Sequence, residues 1–208
     1  YDRIAYEDNA QYYLIWAALV KRAGGDIDMR TVDRAYRFMR ANEHDGLFQP
    51  PRLKPDHKGF RTYHDMLEYE DGDTPSANQG FHCGALFAAR ELGYTIGDEE
   101  IAKAKAGYVR QFNADGGYMQ TSLMKPELIG QDSLYGEVLT YCDFGEKLLP
   151  DDIVRKHLET TMRIQTPYGM RVISKANGDL VDGHSGVYVY GGSWFLNDSA
   201  NYLCGLIH

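Results

Sequence analysis

The 208-residue chain is poor in cysteine, tryptophan and proline, with three, two and seven of each. An odd count of three, Cys83, Cys142 and Cys204, cannot make a disulfide framework, and no Cys-x-x-Cys spacing is present to hold zinc. All three sit in apolar helical patterns, which predicts buried free thiols. His44, His64, His82, His184 and His208 lack the paired spacing of a helical zinc site, so no metal and no cofactor are expected. No run approaches the roughly 18 consecutive apolar residues of a membrane span. Positive charge is short as well. Lys and Arg number 22 against 30 Asp and Glu, a net charge of -8, which argues against nucleic acid or an anionic membrane as partner. The opening residues do not read as a signal peptide. A processed chain would have lost one, so a cytoplasmic and an exported location both stay open.

What the chain does have is apolar residues, 43% of the total, and 16 tyrosines. That is enough for one domain with a substantial core over 1–208. Tyrosine faces stack on sugar rings while their hydroxyls bond ring edges, so this composition fits carbohydrate binding. The apolar spacing predicts helices that alternate in kind. Segments 7–23, 76–92, 131–149 and 193–207 are apolar nearly all round and read as buried. Segments 29–42, 98–112 and 151–164 are amphipathic, with Asp28 as a cap before the first and Gly24-Gly25 and Gly93 as stop signals. Arg30, Arg34, Arg37 and Arg40 form a basic face that reads as solvated surface.

Turns within each helical pair are short, whereas the links between pairs, 43–75, 113–130 and 165–192, are long. Long links in a compact domain carry function or are disordered. In 165–192, two strand-like pieces, 169–173 and 186–190, flank Asn177-Gly178, which predicts a small β-hairpin. The fold expected is all-α: an α/α toroid of helical hairpins, with buried helices inside and amphipathic ones outside. A complete six-hairpin ring needs more helices than are present, so the chain reads as a portion of a larger catalytic domain. The remainder would come from the same polypeptide or another subunit.

Polar groups gather at the starts of the buried helices: Asn78, Gln79 and His82; Asp132, Tyr135 and Glu137; Trp194 and Asp198. Capping accounts for Asp132 and Ser76 but not for Glu137 or Asp198, which lie further into their helices. The longest link ends in an acidic stretch with Asp65, Glu68, Glu70, Asp71 and Asp73 around two tyrosines. Crowded carboxylates raise one another's pKa, as a catalytic acid requires.

Two motifs then resemble a known family. Gly186-Val-Tyr-Val-Tyr-Gly-Gly-Ser-Trp194 before a buried helix is similar to the Tyr-x-Asn-Gly-Gly-x-Trp segment of six-hairpin glycosidases. Glu68-Tyr69-Glu70-Asp71-Gly72 resembles the Asp-Trp-Asn-Asp-Gly of the cellobiose-phosphorylase-like inverting hydrolases and phosphorylases, which carries their general acid. Glu68, Tyr69, Glu70 and Tyr190 depart from the family residues. The resemblance implies an enzyme that cleaves glycosidic bonds of an oligo- or polysaccharide with inversion, by hydrolysis or phosphorolysis.

Inversion by water needs an acid and a second carboxylate about 6.5–9.5 Å apart. The acid candidates are Asp71 first, then Glu68 and Glu70. The base candidates are Glu137, Asp132 and Asp198. With inorganic phosphate as partner and nucleophile no base is needed, and the Gly191-Gly192-Ser193 amides with His184 can hold the anion. Tyr69, Tyr118, Tyr135, Tyr188, Tyr190 and Trp194 are the stacking candidates, the link tyrosines above all. Asp73, Asn78, Gln79 and His82 complete the expected substrate contacts. Two alternatives remain open: a sugar epimerase using His82 and His184, and a non-catalytic sugar-binding toroid.

Overall fold

The structure is a computed structural model that describes residues 9–50, 72–130, 132–165 and 173–179, the backbone of 4–5 and 61–62, and single positions 167, 181, 205, 207 and 208. Six helices carry it: α1 (Asn9–Arg22), α2 (Met29–Ala41), α3 (Ser76–Leu92), α4 (Asp98–Val109), α5 (Tyr135–Phe144) and α6 (Asp151–Arg163). All six fall inside segments the spacing predicts as helix. Positions 205 and 207 are helical as well, at the end of the fourth predicted buried segment.

Local chemistry sets the ends. Asp28 caps α2, its carboxylate accepting from the Arg30 amide at 3.0 Å and the Thr31 hydroxyl at 2.7 Å. Gly93, at φ 108°, ends α3 in the left-handed conformation a side chain resists. α4 stops at Val109, short of the predicted 112, because Phe112–Asn113 leave to form a strand.

α3 is the central element. It packs against α1 on one side and α5 on the other, with α2 on α1 and α4 on α3. Most of its residues are buried, among them Phe81, Cys83, Ala85, Leu86, Ala88 and Ala89. Burying a residue such as Leu86 stabilises the fold by about 1.5–3 kcal/mol. Glycines set the spacing of this row. A Cβ on Gly136 of α5 would stand 2.4 Å from the Cα of Gly80 on α3, so the two backbones touch there. One turn on, a Cβ on Gly84 would stand 2.8 Å from the Thr140 hydroxyl.

The expectation of an all-α chain has to be widened. The fold is helix-rich with small sheets. β2 (Glu43–His44) and β3 (Leu47–Phe48) form a hairpin whose two-residue turn, Asp45-Gly46, has both residues at positive φ. β1 (Ile4–Ala5) pairs in parallel with β4 (Arg61–Thr62). The link 113–130, read as a long loop, lies within a four-stranded antiparallel sheet, β5 (Phe112–Asn113), β6 (Tyr118–Ser122), β7 (Lys125–Gly130) and β8 (Ile173–Lys175), in that order. α6 packs on β6, where buried His157 accepts the Met119 amide through Nδ1 at 3.0 Å. The Asn177-Gly178 turn forms as expected, with Gly178 at φ 87° and its amide donating to Lys175 at 2.9 Å. The observed partner of β8 is β7, while 186–190 lies outside the described residues. Cys83 is buried, but Cys142 is exposed, against the expectation that all the thiols are buried. No helix among the described residues is long and apolar enough to cross a membrane.

Candidate functional site

The row α1, α3, α5 brings three helix starts side by side, and aromatic rings join them. Tyr12 on α1 lies 4.5 Å from Phe81 on α3, ring centre to ring centre. Phe81 meets Tyr135, the first residue of α5, edge-on at 5.6 Å. Phe81 is buried, and the two half-buried tyrosines flank it. Tyr13 and the exposed Trp16 continue the aromatic surface along α1 at 5.5 Å. Aromatic faces edged by hydroxyls suit a neutral polyhydroxylated ring. Tyr135 was legible in the sequence. Tyr12 and Phe81 were missed, because a ring contact between residues so far apart leaves no trace in local spacing. The only signal was that both stand in the first turns of buried segments.

Polar candidates near these helix starts divide by what their bonds leave over. Asn78 is buried in the first turn of α3. Asp132 is half-buried just ahead of α5, where its backbone carbonyl accepts the Tyr135 amide at 2.9 Å.

Gln79, by contrast, is a clamp. Fully buried, it accepts the Phe48 amide at 2.8 Å and donates to the Gly46 carbonyl at 2.8 Å and the Ala104 carbonyl at 2.9 Å. It fixes the β2–β3 hairpin to α3 and α4, so its expected substrate contact gives way to a structural role. Asp73 is another lock. Its Oδ1 accepts the amides of Thr74 at 2.7 Å and Met124 at 3.0 Å, and its Oδ2 accepts the Ser122 hydroxyl at 2.5 Å. With the Leu123 amide donating to Thr74 at 3.3 Å and Gln111 doing the same at 3.1 Å, the end of the acidic stretch is bolted to the β6–β7 turn.

Tyr118, favoured as a link aromatic, is buried against Ile129. Its hydroxyl donates to the Pro126 carbonyl at 2.7 Å, so it packs the sheet. Burial pushes its phenol pKa up. Glu137 is fully buried. Its Oε2 accepts the Leu148 and Leu149 amides at 2.9 and 3.0 Å, and its Oε1 lies 2.9 Å from His208 Nε2. Burial pushes its pKa above the usual carboxylate range, and the His208 contact and the two amides pull back only part of that. An acid so engaged organises the α5–α6 connection and is poorly placed as a base.

His82 is fully buried, with Nε2 3.3 Å from Glu43 and its ring stacked on Phe48 at 5.7 Å. Burial pushes the Glu43 carboxyl up, but the His82 contact and the charges of His82 and Arg40 outweigh it and hold it below its ordinary value.

Glu68, Tyr69, Glu70, Asp71, Tyr188, Trp194 and Asp198 lie outside the described residues, as do His184, Tyr190 and Gly191-Gly192-Ser193. Among the described residues, no three His, Cys, Asp or Glu side chains gather as a metal would require. Two depressions, of about 550 and 350 Å³, are lined by other residues: one on α2, the other between the β5–β6 turn and α6. Comparison with protein-family models, with curated proteins and with solved structures finds no match.

Proposed function

We propose that the chain is an arc of an α/α toroid that binds a carbohydrate across the starts of α1, α3 and α5 and cleaves its glycosidic bond with inversion. The observation that carries this reading is the ring row Tyr12–Phe81–Tyr135 beside Asp132. Half-buried tyrosines of α1 and α5 flank the buried Phe81 of α3, with a carboxylate just ahead of α5, and in sequence the acidic stretch 65–73 runs into the middle helix. In this reading Asp71, Glu68 or Glu70 protonates the leaving oxygen, and Asp132 activates water. Asp132 stands just ahead of α5 beside Tyr135, whereas Glu137, with both oxygens engaged, holds the α5–α6 connection. Phosphorolysis, with inorganic phosphate in place of water, would dispense with the base. The ring would be completed by further residues of the same polypeptide or by another subunit. The epimerase alternative loses support at His82, whose buried ring faces Glu43 and Phe48.

The test is release of reducing ends from an oligosaccharide panel, with and without phosphate. The variants are Asp71→Asn, Glu68→Gln and Glu70→Gln, with circular dichroism to confirm folding. One amide should abolish turnover. Full activity in all three would sink the reading. Sugar-induced tyrosine or tryptophan fluorescence change without any product would favour a non-catalytic binding toroid.

A further inference from the structure

We infer that the exposed face of α2 docks an acidic polypeptide segment. Arg30, Arg34 and Arg37 stand four and three residues apart, so all three project from one face of the helix. They line a shallow depression of about 550 Å³ together with Asp28 and Asp33. Both acids have hydrogen bonds of their own: Asp28 caps the helix, where it also feels the Arg34 charge, and Asp33 accepts the Tyr94 hydroxyl. Among the described residues, none of the three arginines has an acid within ion-pair distance. Arg40, one turn on, is neutralised by Glu43 and Glu100.

The contrast with α6 is the argument. On α6, Arg155 pairs with Glu159 and Lys156 with Asp152, four residues apart, while Lys147 just ahead of the helix pairs with Asp151. Those are the self-satisfied charges of a solvated helix. α2 has four Arg, one Asp, no Lys and no Glu, and it leaves Met29 and Phe38 exposed beside the arginines. Arginine, methionine and aromatic residues without lysine or glutamate are the composition of a protein interface. The three arginines are exposed, as the solvated face expected from sequence requires, and the composition adds an occupant for that face.

A guanidinium grips a carboxylate with two parallel hydrogen bonds, so three along one face read a run of acidic side chains. Met29 and Phe38 would take an apolar residue of the same segment. A phosphate backbone would leave the exposed Met29 and Phe38 without an apolar partner, so a polypeptide fits this face better than a nucleic acid.

The probe is poly-L-glutamate, titrated into the 208-residue chain and followed by calorimetry. The comparison variants are Arg30→Glu/Arg34→Glu/Arg37→Glu and a charge-matched control on other faces, Lys103→Glu/Arg155→Glu/Lys156→Glu. Binding that falls at least tenfold in the α2 variant and persists in the control supports the proposal. Conservative replacement of the three arginines by lysine should weaken binding several-fold, because charge is kept but the fork is lost. Four results overturn it: no binding by the unaltered chain; equal loss in the control; heparin competing as well as poly-L-glutamate; or self-association, read by sedimentation, that vanishes with the α2 variant and marks the face as a contact with a second copy.

Discussion

Single residues in this chain do structural work with groups that look chemical. Gln79 reads as a sugar-contacting amide at the start of a buried helix, yet it satisfies one amide and two carbonyls of two separate segments, the β2–β3 hairpin and α4. Replacing it by alanine removes the buried partner of the Phe48 amide and the Gly46 carbonyl, while the Ala104 carbonyl keeps its helix bond within α4, and each lost partner costs about 1–3 kcal/mol. Urea unfolding of Gln79→Ala should therefore show a loss of about 3 kcal/mol or more. A loss below roughly 1 kcal/mol would mean that water reaches the site. Asn78, one residue earlier in the same turn, shows no such set of bonds among the described residues, and the sequence pattern cannot tell the two apart. The structural roles of Gln79 and Asp73 depend on backbone groups that fold against them from far along the chain, which is why residue type alone does not reveal them.

At the scale of elements, helices were legible and sheets were not. The caps and stops, Asp28, Gly93 and the apolar periods between them, act within a few residues, so local sequence carries them. Strand β6 is buried at all five positions, Tyr118 to Ser122, so it lacks the alternation that betrays a half-exposed strand. Its partner β7 begins Lys-Pro-Glu, which reads as loop. The aromatic row sits between these cases. Tyr135 and Asp132 could be read, but the alignment that brings them to Phe81 depends on two glycines in contact. That contact gives a second prediction. Alanine is the better helix former by about 1 kcal/mol, yet Gly136→Ala should destabilise the protein. Its methyl would meet the Gly80 carbonyl carbon at 2.3 Å and the Phe81 amide nitrogen at 2.7 Å, and a helix backbone cannot step aside alone. The expected loss is about 2–3 kcal/mol in thermal or urea unfolding. It should come with changed near-ultraviolet dichroism as Phe81 and Tyr135 separate. An unchanged or raised midpoint would refute the crossing.

For the molecule as a whole, the half-buried Glu43 and the buried Glu137 pull stability in opposite directions with pH. Glu43 is held below its ordinary pKa, so its contribution is present above the usual carboxylate range and is lost as pH falls through its depressed value. Glu137 is held above its ordinary pKa, so its burial is least costly below the usual range, and stability is lost as pH rises through the raised value. Glu137→Gln keeps an oxygen for the Leu148 and Leu149 amides but removes the titration. Plotted from roughly pH 4 to 8, its unfolding free energy should lack the decline that wild type shows on the rising side. Parallel curves would show that Glu137 does not titrate in this window.

The bolt at Asp73 has one more consequence, for the order in which the chain assembles. Its partners Ser122 and Met124 lie 49 and 51 residues downstream. Closing so long a loop costs chain entropy before any bond returns it. The Asp73 contacts therefore follow, and do not lead, the docking of α3, α4 and the β6–β7 turn. During synthesis the acidic stretch emerges well before the residues that anchor its end, and it waits for them. Five carboxylates in the nine residues 65–73 suit a segment that stays in water during that interval.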